Sequence, residues 1–385
     1  MAEDAAALHQ VREQVGHVLA EFLRNQRSTL PGAADELRPG LDALAGLLAG
    51  GKRLRPAFCY WGWRGTGAPD RPEVMAAAAA LELLHAGALV HDDVMDGSAT
   101  RRGRPALHRL FAAYHAERNW RGSAAAFGTG TAILLGDLLL SWADELYAGS
   151  GLALDALARG RPVLDLMRSE VMAGQYLDLM AQASGDGTVA SALRVVEHKT
   201  ARYTIERPLH LGAALAGASL GAASQAGASQ AGASQAGASQ AGASDGQAST
   251  GIAAAYTGYG RPLGVAFQLR DDILGIFGDP ARTGKPATDD LRAGKRTVLL
   301  AITQARASPA QAAVIDRWLG DPELDEAAAA EVRAVITSTG ALAECEQLIS
   351  RHLDQALGAL AAAPITAEAR AALAELAVTA TARHD

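Results

Sequence analysis

Aromatic residues are scarce in this chain: phenylalanine, tryptophan and tyrosine make up 5% of its 385 residues. The alternation of β-branched or aromatic residues with polar ones, which is typical of strands, is also rare. Alanine and leucine are frequent instead, and both favour helices. The composition therefore predicts an all-α protein, and a hydrophobic fraction of 49% is enough for a large core.

An excess of basic residues is absent too, because 35 Lys and Arg stand against 42 Asp and Glu. This acidic balance argues against a nucleic-acid partner. No stretch reaches ~18 uninterrupted apolar residues, so we expect no membrane span. The acidic start MAEDAAALHQ lacks the pattern of a signal peptide, which favours a cytoplasmic location. Cys59 and Cys345 lack metal-type spacing and are expected to be buried and reduced, although a disulfide between them stays open.

The chain divides into helical patterns separated by Gly and Pro breaks. They cover residues 1–48, punctuated at Pro31-Gly32 and Pro39-Gly40, and then 73–96, 124–148, 162–182, 188–216, 250–278, 288–305 and 309–383. Residues 217–250 differ, because the unit ASQAG recurs there with almost no charge and no large apolar side chain. We interpret this segment as a flexible loop inserted in a single domain of residues 1–385, and we favour a neutral repeat expansion over an interaction tether.

Three aspartates lie close together in the sequence DDVMD, near the end of the predicted 73–96 helix. Asp92 and Asp96 are four residues apart and share a helix face, and Asp93 flanks them. Three neighbouring carboxylates repel each other unless cations neutralise them. Mg²⁺ suits such a cluster, since it binds one or two carboxylates and completes its shell with water and phosphate oxygens. Taken alone, this motif would be better explained by a solvated acidic face than by a metal site.

Further charged residues favour a metal and diphosphate site. Asp271 and Asp272 form a second acidic pair in DDILG. Isolated cations occur in GGKRLRP, RRGRP, EHKTARYT and TGKP, and they are Lys52, Arg53, Arg55, Arg101, Arg102, Lys199 and Lys285. Arginine binds phosphate through a bidentate fork and lysine through a point charge. Two acidic pairs for metals and several cations together predict a site for two diphosphate groups.

The motifs resemble those of the trans-isoprenyl diphosphate synthase (polyprenyl synthetase) family, and its geranylgeranyl diphosphate synthases in particular. The resemblance covers about residues 20–305 apart from the repeat, and its strings are GGKRLRP (50–56), LLHAGALVHDDVMDGSATRRGRP (83–105), GDLLL (136–140), GQYLDL (174–179), KTARYT (199–204), FQLRDDILGIFGD (267–279) and TGKPATDDLRAGKRT (283–297). It implies a helical bundle around a central cavity, a homodimer, and condensation of isopentenyl diphosphate with an allylic diphosphate to a linear prenyl diphosphate.

The resemblance also implies roles for individual residues. The ligands of Mg²⁺, with three ions in each site, would be Asp92, Asp93, Asp96, Asp271 and Asp272. The residues in contact with the allylic diphosphate would be Arg101, Lys199 and Lys285. Isopentenyl diphosphate would be bound by Lys52, Arg55, His85 and Arg102. Oxygen atoms near Thr200 and Gln268 would stabilise the allylic cation.

The second acidic motif departs from the family pattern at one position. Gly275 stands where many relatives have a third aspartate. Two carboxylates can still suffice for an ion, and Asp279 lies four residues further on. We assign no metal to Asp279, so the strength of this second site stays open.

The residues before the first acidic cluster bear on product length, because the resemblance implies that the growing chain runs along this helix. At ~1.5 Å per residue, the fourth and fifth positions before Asp92 lie ~6–7.5 Å below the metals. These positions are Ala88 and Gly87, and Leu84 forms the next layer. None of these positions holds an aromatic side chain that would close the bottom of the pocket. We therefore expect a product of C20 or longer, and we expect Gly87→Phe to shorten it.

Other functions stay open at this point. If a side chain from another helix closed the bottom of the pocket, the product would be shorter and the chain would be a farnesyl diphosphate synthase. A class I terpene cyclase also uses an aspartate cluster and Mg²⁺, but it would not need the cations of KRLRP or the second arginine of RRGRP. A non-catalytic partner of a synthase typically lacks one acidic motif, and both are present here. A calcium-binding module is a further alternative, but the aspartate spacing is that of a helix and not that of a calcium-binding loop.

Overall fold

The computed structural model describes residues 6–29, 34–219, 243–279 and 286–381. In these ranges the chain is helical apart from turns and one short hairpin of β1 (Thr100–Arg101) and β2 (Arg104–Pro105). The helices are α1 (Ala6–Thr29), α2 (Ala34–Ala49), α3 (Leu54–Gly65), α4 (Pro72–Met95), α5 (Leu107–Glu117), α6 (Ala124–Ala148), α7 (Leu154–Ser184), α8 (Val189–Val195), a π-helix (Val196–Glu206), α9 (Arg207–Leu215), α10 (Ala243–Phe277), α11 (Asp289–Arg292), α12 (Val298–Arg306), α13 (Pro309–Trp318), α14 (Glu326–Ser338), α15 (Ala341–Ala361) and α16 (Ala367–Thr381).

The helix that carries the first acidic cluster, α4, lies inside the bundle. Pro72 occupies its first turn, where no backbone N–H is needed. A run of small side chains follows, and Ala77, Ala78 and Ala79 are fully buried. Small residues allow neighbouring helices to approach closely, and α4 packs against α1, α3 and α6. The core therefore supports α4 along its length and fixes the position of its carboxyl end.

Two hydrophobic clusters make up the core. The larger one joins α1 to α7 with parts of the π-helix, α9, α10, α15 and α16. The smaller one lies between α10 and the helices α12 to α15. Cys59 belongs to the first and Cys345 to the second, and both are buried and free. The expectation of two buried, reduced cysteines is confirmed.

Most predicted helices are present, but several boundaries differ. The expected break at Pro39 is wrong, since α2 continues through it. An interior proline costs a helix about 3 kcal/mol, and burial of Leu44 and Leu48 on the same helix offsets this cost. The predicted 188–216 helix is interrupted by the π-helix, and the 309–383 pattern is divided into four helices.

The repeat segment is described only at its two ends. Residues 220–242 lie outside the described residues, so the flexible loop predicted there stays a prediction. The last part of the predicted loop is helical instead, because α10 begins at Ala243 rather than near residue 250.

Two of the described helices, α4 and α6, are long and apolar enough to cross a membrane by length and composition alone. In α4 72% of the most apolar window is buried inside the protein, as in a core helix, but in α6 only 28% is buried. The expected absence of a membrane span therefore stays an expectation.

Candidate active site

The first acidic cluster lies at the carboxyl end of α4, as predicted. Asp92 and Asp93 fall in the last turn and Asp96 caps the helix. Carbonyl groups at a helix C-terminus carry partial negative charge, so carboxylates there are unfavourable without cations. Asp93 is 3% exposed, and the other two are partly exposed. The fold thus gathers three carboxylates at one place and requires positive charge beside them.

Two cations meet this requirement on Asp92 and Asp93. Lys199 Nζ lies 3.2 Å from Asp92 Oδ1 and 2.7 Å from Asp178 Oδ2. Arg101 donates from Nε to Asp93 Oδ1 over 2.9 Å, and its Nη2 lies 3.7 Å from Asp92 Oδ2. Both cations were expected at the allylic diphosphate, and the structure places both against the first cluster.

A third cation, Lys295, connects the first cluster to the second acidic motif. Its Nζ lies 3.1 Å from Asp96 Oδ2 and 3.4 Å from Asp290 Oδ1. Asp290 in turn packs against α10 at Gly275, three residues after Asp272. The two acidic motifs, which are far apart in sequence, therefore border the same site.

The second acidic motif lies on α10 and is joined to the π-helix by a chain of hydrogen bonds. Thr200 Oγ1 donates to Gln268 Oε1 over 2.6 Å, and Gln268 Nε2 donates to Asp272 Oδ1 over 2.7 Å. The other carboxylate oxygen of Asp272 is buried without a hydrogen-bond partner. Thr200 and Gln268, which the resemblance implicated together, are thus direct neighbours.

The acidic side chains respond to their surroundings in opposite ways. Burial alone would raise the pKa of Asp92, but Lys199, Lys295 and Arg101 outweigh it and lower the pKa to about 2. Burial raises the pKa of Asp272 to about 7, because the hydrogen bond from Gln268 does not offset it and neighbouring carboxylates add to it. Cations therefore neutralise Asp92, whereas burial raises the pKa of Asp96 at the end of the same cluster as well as that of Asp272.

A separate group of cations lies where the hairpin meets the segment before α3. Arg53 and Arg102 share the buried carboxylate of Glu82, with distances of 2.5 Å and 3.3 Å. Arg102 also donates to the backbone carbonyls of Leu47 and Gly50. Both arginines have a left-handed backbone with φ of 54°, which is unfavourable for non-glycine residues and is found mostly at functional sites.

Arg55 and His85 lie together beside the π-helix. Arg55 Nη2 donates to Thr204 Oγ1 over 2.7 Å, and its guanidinium stands 4.4 Å from the centre of the Tyr203 ring. The His85 ring is 6.2 Å from the same ring. Burial and then the nearby arginines lower the pKa of His85 well below its usual value, so it is neutral. These contacts bring two of the residues expected at isopentenyl diphosphate together.

The π-helix carries Lys199 and Thr200, and it is held in place by a buried ion-pair network. Glu170 on α7 accepts from Arg202 over 2.8 Å and from Arg207 over 2.6 Å. A π-helix has wider turns than an α-helix and is frequently found at functional sites. This segment brings Lys199 and Thr200 to the site.

The two remaining expected cations are Lys52 and Lys285. Lys285 lies outside the described residues, so its role stays a prediction. Lys52 is exposed just before α3. Four further residues at the site were not predicted from the sequence: Glu82, Asp178, Asp290 and Lys295. The last three lie within strings that carried the resemblance, so their position in those strings was the available signal.

A cavity of about 450 Å³ adjoins the site between α2, the hairpin and α5. Asp93, Arg101 and Arg102 line it on one side, and apolar residues such as Leu47 and Leu107 line the other. Its size falls in the range of small-molecule sites. Its lining includes neither Lys199 nor any residue of the second acidic motif, so it is not the place where the two acidic motifs meet.

Comparison with known proteins agrees with this arrangement. A sequence model described as Polyprenyl synthetase matches residues 41–232 and 224–336. The chain is 32% identical to "Heptaprenyl diphosphate synthase component 2" of Geobacillus stearothermophilus over 88% of both chains. It is 29% identical to "Geranylfarnesyl diphosphate synthase" of Aeropyrum pernix over 91% of this chain and 92% of that one. The chain belongs to the polyprenyl synthetase family.

A solved structure is similar over nearly the whole length. It is the geranylgeranyl pyrophosphate synthase of Corynebacterium glutamicum in complex with isoprenyl diphosphate and magnesium, with a TM-score of 0.86 and 37% identity over 99% of this chain and 100% of that one. The family resemblance, the all-α fold and the transfer of prenyl groups as reaction class are thereby confirmed.

The side chains of this polyprenyl synthetase fit a divalent cation. Both oxygens of Asp96 and one of Asp272 are buried without a hydrogen-bond partner, although Lys295 lies within ion-pair distance of Asp96. In the described part of the chain, no three His, Cys, Asp or Glu side chains converge on one point. Such a donor set suits Mg²⁺, which binds few carboxylates and completes its shell with water and phosphate.

Of the residues expected to set product length, Gly87 contacts α6. A Cβ atom at Gly87 would lie 3.0 Å from Leu140 Cδ2 and 3.1 Å from the carbonyl oxygen of Gly136. Position 87 is therefore a close contact between α4 and α6, and a large side chain there would push the helices apart. Leu84 is buried and Ala88 is partly exposed. Ala88 shares a helix face with Asp92, so it is the better position from which to alter the pocket.

Proposed function

We propose that this chain condenses isopentenyl diphosphate with an allylic diphosphate and that its main product is C20 or longer. The observation that carries the proposal is the presence of two separate cation groups around the two acidic motifs. Lys199 and Arg101 border the first motif, whereas Arg55 and Arg102 lie with His85 near the π-helix and the hairpin. Two diphosphate substrates require two such groups, and a reaction with one diphosphate does not.

In this mechanism the protein stabilises charge as the allylic carbon–oxygen bond breaks. Magnesium ions, bound by Asp92, Asp96, Asp271 and Asp272, would supply Lewis acidity toward the departing diphosphate. Lys199 and Arg101 hold fixed positive charge beside it, so little reorganisation is needed as negative charge develops. The number of ions, three in our proposal, is inferred from the resemblance alone.

The remaining steps use the neighbouring residues. Arg55, Arg102 and Lys52 hold isopentenyl diphosphate so that its double bond attacks the allylic cation. The oxygens of Thr200 and Gln268 are 2.6 Å apart and face this cation with partial negative charge. Loss of a proton to the released diphosphate then gives the new allylic product. Water must stay out during these steps, or it would quench the cation.

The proposed product length is based on the helix before Asp92. Ala88 has a small side chain on the helix face that carries Asp92, and the next side chain along this face, one turn further from the acidic cluster, is Leu84. The relatives named above make products of different lengths by their names, which agrees with length being set by a few side chains rather than by the fold.

We also propose that the protein is a homodimer that works in the cytoplasm. The α6 face supports the dimer, because Ile133 and Leu134 are 43% and 70% exposed and Phe127 is 37% exposed. Large exposed apolar patches mark interaction surfaces. The heptaprenyl relative is a "component" by name, so a different partner chain on this face is the alternative, and the molar mass of the purified chain in solution distinguishes the two.

Initial-rate kinetics test the assignment of two diphosphate sites. We expect Arg55→Gln to raise KM for isopentenyl diphosphate and to change KM for the allylic substrate little. We expect Lys199→Gln to do the reverse. If both variants raise KM for the same substrate, the assignment is wrong. A terpene cyclase would convert the allylic substrate without isopentenyl diphosphate, which the same assay detects.

A further inference from the structure

The charged side chains of the π-helix form contacts at a spacing of five residues. Glu197 accepts a hydrogen bond from Arg202 Nη2 over 2.6 Å. Arg207, the first residue of α9, donates its backbone N–H to the carbonyl of Arg202. In an α-helix, residues five apart are separated by about 140° around the axis, and favourable charge pairs are three or four residues apart. Contacts five residues apart match a π-helix, whose backbone bonds have this spacing.

A carboxylate on another helix bridges the two arginines of this series. Glu170 Oε1 accepts from Arg202 over 2.8 Å and from Arg207 Nη2 over 2.7 Å, and its Oε2 accepts from Arg207 Nε over 2.6 Å. Burial would raise the pKa of Glu170, but Arg207 and Arg202 outweigh it and lower the pKa, so the carboxylate is ionised at neutral pH. In an α-helix the two arginines would diverge, and one buried carboxylate would not hold both.

The face of α7 that carries Glu170 also contacts the catalytic end of the π-helix. Glu170, Gly174 and Asp178 are each four residues apart and share this face. A Cβ atom at Gly174 would lie 2.5 Å from the backbone nitrogen of Lys199. Asp178 Oδ2 lies 2.7 Å from Lys199 Nζ. One rigid helix therefore holds both the lysine and the arginines at the far end of the π-helix.

The opposite side of the π-helix packs against α10. A Cβ atom at Gly264 would lie 2.3 Å from the Cα atom of Ala201. One turn further along α10, Gln268 accepts the hydrogen bond from Thr200. Lys199 and Thr200 are consecutive, so they point about 100° apart on an α-helix. The register of the π-helix therefore decides whether Lys199 reaches α7 and α4 while Thr200 reaches α10.

We propose that Glu170 is a positioning residue that selects the π register of residues 196–206 by bridging two arginines five residues apart. The register in turn places Lys199 at the first acidic cluster and Thr200 beside the second. Glu170 lies about two turns of α7 away from Asp178, so it acts through the π-helix and not by contact with a substrate. The inference rests on the proposed function for the role of Lys199 at the allylic diphosphate.

The competing explanation is that the glycine contacts on α7 and α10 set the register alone and that Glu170 only contributes stability. Glu170→Gln separates the two explanations, because it leaves both glycines in place. Arg202→Met is a second variant that removes the bridge but keeps the pair between Glu170 and Arg207, so it remains informative if the first variant does not fold.

Asp144 provides a matched control. Its carboxylate also binds two arginines, Arg168 over 2.7 Å and Arg161 over 3.2 Å. It joins α6 to α7, and not α7 to the π-helix. Asp144→Asn therefore removes one charge from a similar ion-pair network without changing the bridge.

Crystal structures of the wild type and the variants show the register directly. In Glu170→Gln and in Arg202→Met we expect the backbone N–H of Arg207 to donate to the carbonyl of Tyr203, four residues earlier, as in an α-helix. Asp144→Asn should keep the bond to Arg202. Thermal unfolding identifies the variants that fold. A folded Glu170→Gln or Arg202→Met that keeps the π register would overturn the proposal.

Initial-rate kinetics test the positioning role. We expect Glu170→Gln to raise KM for the allylic diphosphate about ten-fold, because Lys199 leaves the first acidic cluster and one charge-assisted hydrogen bond is lost. A role in folding alone would lower the active fraction and leave KM unchanged. Asp144→Asn should keep the wild-type KM. Unchanged KM in a folded Glu170→Gln would overturn the positioning role.

Failure of this inference can be told from failure of the proposed function, because the register is observed without turnover. Calorimetric titration with Mg²⁺ and methylenediphosphonate, a stable diphosphate mimic, should show a similar loss of affinity in Glu170→Gln. An inactive wild type, combined with an altered register in Glu170→Gln, would reject the function and retain the role of Glu170. An active wild type, combined with the π register in the folded variants, would do the opposite.

Discussion

Replacing Asp272 by asparagine should stabilise the metal-free protein although it removes a residue of the candidate active site. Burial is the main cause that raises the pKa of Asp272 from 3.8 to about 7. Each unit corresponds to about 1.4 kcal/mol, so the ionised carboxylate costs the folded state on the order of 4 kcal/mol. Asparagine has no charge and still accepts the hydrogen bond from Gln268. We therefore expect a gain of about 2–4 kcal/mol at pH 8.

The pH dependence of this gain has a definite sign. Between pH 3.8 and about 7 the folded protein keeps a proton on Asp272 that the unfolded chain has released. Stability of the wild type therefore falls as pH rises through this window. The cost is fully present above about pH 7 and absent below about pH 4. The asparagine variant lacks this contribution at every pH.

Urea unfolding of both proteins in EDTA, at pH 8 and pH 5, measures the effect. The variant should be the more stable at pH 8, and its advantage should fall by at least half at pH 5. Asp289→Asn serves as the control for loss of one negative charge. Addition of Mg²⁺ with methylenediphosphonate should narrow the gap, because a ligand that binds the folded wild type stabilises it. A wild type more stable than the variant at pH 8, or a gap that does not depend on pH, would refute the reasoning.

Three other substitutions test the positions of single side chains. Ala88→Phe should shorten the main product by at least one isoprene unit, seen by mass spectrometry; an unchanged product would count against the pocket. Gly87→Phe should instead lower the melting temperature by several degrees, because its ring meets Leu140 on α6; a normal melting curve would contradict this. Asp178→Asn should raise KM for the allylic substrate more than KM for isopentenyl diphosphate, because Lys199 loses a partner 2.7 Å away; rescue by Asp178→Glu would support a positioning role.

The sequence was sufficient to predict the fold class and the acidic centre. The alanine-rich helical patterns and the scarcity of strand patterns predicted the all-α class. Helix α6 begins and ends at the residues where the 124–148 pattern does. Asp92 and Asp96 were expected on one helix face because their spacing is local. The order of the motifs was specific enough to indicate the family, which the comparisons confirm.

The features that the sequence did not predict depend on contacts between distant segments. The spacing of α4 and α6 at Gly87 depends on Gly136 and Leu140, some fifty residues away. The contact of Gly275 with Asp290 joins α10 to the short helix α11 in the same way. Contacts of this kind leave no periodic pattern in the sequence. From the sequence alone, Gly87 was therefore interpreted as open space in the pocket and Gly275 as the position of a missing metal ligand, although both lie close to another segment. The π-helix likewise has no local signature that distinguishes it from an α-helix.

The most direct test of the account is to incubate the purified chain with Mg²⁺, isopentenyl diphosphate and, in separate reactions, C5, C10 and C15 allylic diphosphates. The products are dephosphorylated and sized by mass spectrometry. We expect linear alcohols of C20 or longer that form only when isopentenyl diphosphate is present. A cyclic hydrocarbon formed from the allylic substrate alone, or no product with any starter, would contradict the proposed two-substrate condensation.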